Sequence, residues 1–197
     1  MGSRINDNGD VSFPATASAV LIGFWMARTS GEIETVALVG EVLPDLPGKI
    51  SIFVPGFASN TNGLTVSKIN SLESGEIIFV GPPKQGAGYS DLNDLGTSHL
   101  KILAHQQLQP PGFNDTWFFK EFGQPIINNE GRIAFWADAR DALDPNFSST
   151  KGIWISDNKS DLQLLVGEGI PVIIDGENKA ISTITDISNS LIFSSTK

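Results

Sequence analysis

The stretch NNEGRIAF at 128–135 has counterparts elsewhere in the chain, and a sequence that repeats itself at this scale can bury its hydrophobic residues only by stacking one copy on the next. Four segments align: INDNGDVSF at 5–13, INSLESGEIIF at 69–79, INNEGRIAF at 127–135 and TDISNSLIF at 185–193. Each reads as a turn followed by a strand. Asn6, Gly9 and Phe13 match Asn128, Gly131 and Phe135 without a gap. The second copy aligns as Asn70, Gly75 and Phe79 with a two-residue insertion, and the fourth as Asp186, Asn189 and Phe193. Asp turns the backbone as Asn does, and Asn stands next to Gly in tolerating positive φ, so the fourth copy keeps the chemistry of the turn.

Other landmarks keep step. Gly48, Gly112 and Gly176 follow one another at intervals of 64 residues, each behind a proline; Trp25, Tyr89 and Trp154 follow at 64 and 65. Within the third copy, short segments rich in Ile, Val, Phe and Trp cover 117–127, 132–137, 152–156 and 161–166, bounded by NNEG, DPN, SDNKSD and GEGIP. This pattern predicts a four-stranded antiparallel meander. No run of ten or more residues has a helical period, since ALDPNF is broken by Pro145 and SDLNDLGTSHL by Gly96. The expected fold is all-β, a propeller-like array of repeated meanders, with three units at about 1–47, 48–111 and 112–175 and a partial fourth at 176–197 in one repeat domain.

At the level of Asn-x-x-Gly-x-x-Ala-Phe the chain resembles the tandem-repeat proteins named after that motif, found in bacterial surface and secreted proteins. NNEGRIAF matches every fixed position, NDNGDVSF has Ser for Ala, and GIWIS and LLVGEGIPV extend the likeness. The resemblance implies export, an extracellular or cell-surface location, anchoring by parts outside the repeats and a propeller-like β fold. It implies no catalytic residues.

Composition closes several other routes. Thirteen Lys and Arg against 22 Asp and Glu give a net charge of −9 with no basic run, which argues against nucleic acid as a partner. Without cysteine there is no disulfide, thiol nucleophile or thiolate metal site. The longest apolar stretch, residues 19–27, falls well below the roughly 20 residues a membrane helix needs, and no apolar signal core precedes the first copy.

The repeated residues are explained by turns and core, so any binding belongs to the parts that differ between copies, chiefly 82–98, 109–119 and 138–150. Trp117, beside Phe118 and Phe119, is the aromatic most able to offer a sugar-stacking face. Asp138, Asp141 and Asp144, and likewise Asp91, Asn93 and Asp94, form oxygen-rich loops whose one suggested cofactor is calcium, although neither follows the twelve-residue loop pattern. Glu41 and Glu168 recur at equivalent positions with Gln106 between them, the raw material of a carboxylate pair. His99 and His105 lack the partners of a zinc site or a nucleophile triad. The primary expectation is a non-enzymatic structural or interaction module of a bacterial surface or secreted protein. The alternatives are a glycan-binding module and a carboxylate-pair hydrolase. A protein or glycan surface is the expected partner, and a homodimer would complete the repeat assembly.

Overall fold

The computed structural model describes residues 3–18, 21–84, 98–146, 148–156 and 161–185; in it the chain is all-β, and none of the described residues is helical. The first sheet is the meander β1 (Arg4–Ile5), β2 (Val11–Ser18), β3 (Leu21–Ala27) and β4 (Ile33–Leu38). The second repeats that order with β5 (Ile50–Ser59), β6 (Thr65–Ser71), β7 (Gly75–Gly81) and β8 (Lys101–His105). In the third, β9 (Trp117–Phe122) and β10 (Ile126–Ile127) share one edge of β11 (Ile133–Asp141), followed by β12 (Ser149–Ser156) and β13 (Gln163–Gly167). A hairpin of β14 (Pro171–Ile174) and β15 (Glu177–Ala180) ends the described strands.

The third sheet shows how sequence sets the detail. A continuous strand over 117–127 was expected, but the indole of Trp136 occupies the space where a side chain at Gly123 would stand, and Pro125 has no N–H for the ladder. The chain steps out between β9 and β10 and keeps one contact, Gly123 N to Trp136 O at 2.8 Å. At the final hairpin, Asp175 and Gly176 have φ of 54° and 80°, the two left-handed residues that close a two-residue turn matching strand twist.

The sheets stack side by side through two cores. The first joins the first two sheets around Phe24, Met26, Val36, Phe53, Phe57 and Phe79. The second joins the second and third sheets around Ile78, Val80, Phe119, Phe122, Phe135 and Trp154. Strand alternation makes this possible: along β7, Ile77 and Phe79 enter the first core while Ile78 and Val80 enter the second. A third apolar cluster, Ile126 and Ala134 with Trp136, Ile153 and Ile155 against them, lies on the far face of the third sheet. The sheets do not close into a ring among the described residues.

One feature of the expected repeat is corrected. The second turn of the series lies at Asn60–Gly63, in NTNG, and not at Asn70–Gly75. Asn60 Oδ1 accepts from the amides of Asn62 and Leu64, both at 3.0 Å, and Gly63 N donates to Asn60 O. Asn70 sits inside β6 paired with Glu76, and Gly75 begins β7. Phe79 accordingly lies in a third strand opposite Ser67, as Trp25 lies opposite Phe13 and Trp154 opposite Phe135. It corresponds to the tryptophans, not to Phe13 and Phe135. The second unit puts Ser67 where its neighbours have Phe, and Phe79 fills that part of the core from the adjoining strand. Asp186, Asn189 and Phe193 of the fourth copy, and Tyr89, lie outside the described residues.

Candidate functional site

Three Asn turns meet at one end of the sheets. In each, the Asn side chain accepts from the amides two and four residues on: Asn6 from Asn8 and Asp10, Asn60 from Asn62 and Leu64, Asn128 from Glu130 and Arg132, all within 2.9–3.1 Å. Gly9, Gly63 and Gly131 follow with φ of 84°, 77° and 85°, where a Cβ would strain the backbone. The side-chain amides then link turn to turn. Asn6 Nδ2 donates to Asn60 O at 2.9 Å, Asn60 Nδ2 to Asn128 O at 3.2 Å, and Asn129 Nδ2 to an Asp7 carboxylate oxygen at 3.1 Å.

Ion pairs reinforce the same junctions. Arg28 holds Glu34 through Nε and Asp10 through Nη1, and its guanidinium lies against Gly63 of the next unit. Burial by itself would raise the Asp10 pKa, but the Thr29 amide, the Asn6 side chain and Arg28 outweigh it and hold the carboxyl below its ordinary range. Burial likewise works against the Arg28 charge, and Glu34 and Asp10 overcome it and raise its pKa. Between the second and third sheets, buried Lys68 donates to Glu76 Oε1 at 2.9 Å and to Phe122 O at 2.7 Å, while Phe122 N donates to Glu76 Oε2 at 3.0 Å. One ion pair thus satisfies both backbone groups of a neighbouring sheet's residue.

At the opposite end of these sheets a groove of about 560 Å³ runs along the junction of the second and third. Ile52, Leu72, Glu76, Gln106, Lys120 and Glu121 line it, with Leu72 89% exposed. Gln106 Nε2 donates to Lys120 O across its floor. Both Glu76 oxygens are engaged by Lys68 and the Phe122 amide, so this carboxylate holds the wall together. The groove offers hydrogen-bonding groups and two exposed aliphatic side chains.

Compared with known families, residues 1–196 match the model of DUF7453, a family of unknown function. The chain belongs to that family. No curated protein and no solved structure matches it.

In this DUF7453 member the residues singled out from sequence take mainly local parts. Trp117 is half-buried, 4.9 Å from the Phe113 ring and packed on the second core. It pairs across the ladder with Asp141, whose Oδ1 accepts from Leu143 N at 3.0 Å. Asp144 accepts from the amides of Asn146 and Ser148, and bonds from the Ser148 and Asn146 groups lower its pKa. Asp138 stands in β11 between Lys151 and Glu121. These carboxylates share a hairpin but do not converge, and no group of three His, Asp or Glu suited to a metal ion occurs among the described residues. Asp91, Asn93 and Asp94 lie outside them. Gly48, Gly112 and Gly176 all take positive φ, between 80° and 99°.

The equivalent positions Glu41, Gln106 and Glu168 turn out to be junction residues. Glu41 is fully buried and accepts from Lys84 Nζ at 3.3 Å; Glu168 accepts from the Lys151 and Ile184 amides. His105 takes the Gln107 amide on Nδ1, and burial lowers its pKa. Sequence reasoning missed Lys68 and Glu76. The signal was a lone Lys among Val, Ser and Ile in a strand, with an acid on the next strand two residues from its cross-strand partner Ile78.

Proposed function

We propose that the chain is a non-enzymatic, propeller-like β-repeat module that serves as a structural or interaction domain of a bacterial surface or secreted protein. What supports this is how its polar groups are used: Lys68, Glu76, Asn6 and Asn60 each bond the backbone of the next unit, and Arg28 and Glu41 are held in ion pairs. Such side chains build an array. The groove beside Gln106 adds surface for contact, and the Glu76 carboxylate at its wall is held by Lys68 and the Phe122 amide. Self-association that extends the stacked sheets belongs to the same reading, and the mass in solution measures it.

Cell fractionation of the source organism together with a panel of chromogenic glycosides, esters and peptides tests the proposal. The chain is expected in the envelope or medium and silent on every substrate. Recovery from the cytoplasm, or turnover that Glu76→Gln or Glu168→Gln abolishes, would overturn it.

A further inference from the structure

Among the described residues the first sheet has no inner strand over most of β2. In the third sheet, β9 and β10 run the length of β11, and in the second, β5 runs the length of β6. Among the described residues, only Arg4 and Ile5 pair with β2 on that side. The open edge is competent to pair. Val39 N donates to Ile22 O, which turns Ile22 toward β4 and its cross-strand partner Thr16 toward the side where no described strand pairs with it. Pro14 carries no N–H, but its counterpart Trp136 meets its inner strand through its carbonyl, which accepts from Gly123 N, and a proline keeps that acceptor.

The side chains show what is absent. Phe13-x-Ala15-x-Ala17 in β2 repeats Phe135-x-Ala137-x-Ala139 in β11. There, Ala137 and Ala139 face Phe122 and Phe119 across the ladder, and those two rings cover Phe135 and Trp154, leaving both fully buried. The second sheet supplies Phe53 and Phe57 from its own inner strand. In the first sheet Phe13 and Trp25 are only half-buried, and Ile5 is 72% exposed.

We propose that the inner edge of β2 is a strand acceptor. It binds an extended polypeptide segment, antiparallel to β2, that carries two phenylalanines spaced as Phe119 and Phe122 are and lays them beside Ala15 against Phe13 and Trp25. Main-chain bonds to Thr16 supply register and the aromatic pair supplies selectivity. This deepens the reading of the chain as an interaction module and rests on it.

The probe is a labelled synthetic peptide of residues 116–125, TWFFKEFGQP, titrated into the whole chain by fluorescence anisotropy, with amide exchange of Thr16 followed in parallel. Saturable binding is expected, with slowing of the Thr16 amide. Replacing the phenylalanines at positions 119 and 122 of the peptide by alanine, with the one at 118 kept, should weaken binding at least about tenfold, given the aromatic area withdrawn. Ala15→Phe, which fills the space from within, should abolish binding. No saturation by about 1 mM peptide overturns the proposal. So does equal binding of the alanine peptide, or a Thr16 amide as protected in the free chain as that of its counterpart Asp138, which pairs with Glu121 of the inner strand; that would show the edge already taken. An exported, catalytically silent chain that ignores the peptide removes the strand acceptor and leaves the proposed function standing.

Discussion

Asn129 donates from Nδ2 to the Asp7 carboxylate at 3.1 Å, bringing the tips of the first and third turns together across 122 residues of sequence. Between them stands Asn60, which is buried, receives the Asn6 amide on its carbonyl, caps two amides of its own turn and donates to Asn128. Asn60→Ala should therefore cost about 2 kcal/mol, as a lost cap plus a buried bond, and more than Asn128→Ala, whose turn is more exposed. Urea unfolding midpoints give the ranking.

Lys68 and Glu76 form a pair whose deletion is asymmetric. Lys68→Met or Glu76→Gln alone should cost roughly 2–4 kcal/mol, because each leaves a partner buried without compensation. Replacing both with apolar residues should not restore stability as it can for an isolated buried pair, because the Phe122 N–H and C=O then lose their partners too. A double-mutant cycle measures the difference.

Acid should destabilise the junction of the first two units. The Asp10 pKa is depressed on folding, so the unfolded chain binds its proton first; the stabilisation is whole above the ordinary carboxylate range and is lost as pH falls through the lower, folded value. His105, also depressed, works in the same direction at higher pH: protonation disfavours the folded state as pH drops below its ordinary value of about 6.5. Melting temperatures recorded from neutral pH downward should fall in two stages. Asp10→Asn should flatten the lower stage and His105→Gln the upper.

Trp117→Ala should behave as a core-rim truncation, lowering stability by about 2 kcal/mol through lost contact with Phe113 and the second core. Retention of the variant on polysaccharide affinity gels should equal that of the parent chain. An unchanged melting curve with lost retention would instead assign the indole to sugar binding.

Calcium should leave the melting temperature unmoved. A site with a Kd of about 10 μM would add about 2.7 kcal/mol at about 1 mM calcium, a shift easily read. Asp141 and Asp144 already spend their carboxylates on loop amides.

Much of this architecture was legible because strands and turns leave local signatures. The third unit's four segments follow from runs of Ile, Val, Phe and Trp between Asn, Gly and Pro clusters, and Asn6 and Asn128 mark their turns through side-chain bonds made within four residues. The second turn was misread because NTNG at 60–63 has Ser67 where the motif asks for Phe, and the phenylalanine that completes that core, Phe79, arrives on the next strand. Packing requires a volume in a place and is indifferent to which strand delivers it. The even glycine interval concealed the irregularity. From Gly48 to Asn60 is 12 residues and from Gly112 to Asn128 is 16, while Asn60 to Gly112 is 52 and Asn128 to Gly176 is 48. Lys68 and Glu76 showed only as a lone Lys and an acid on adjoining strands, and the groove not at all, since their roles depend on which sheets become neighbours.

The alternation of β7 carries one more consequence. A strand that sends Ile77 and Phe79 one way and Ile78 and Val80 the other belongs to a unit with two different, mutually compatible sides. Such a unit is modular in the genetic sense: an in-frame duplication of the segment would insert between its neighbours using surfaces that already fit. Array length can then change in evolution by recombination, without any new interface having to be invented.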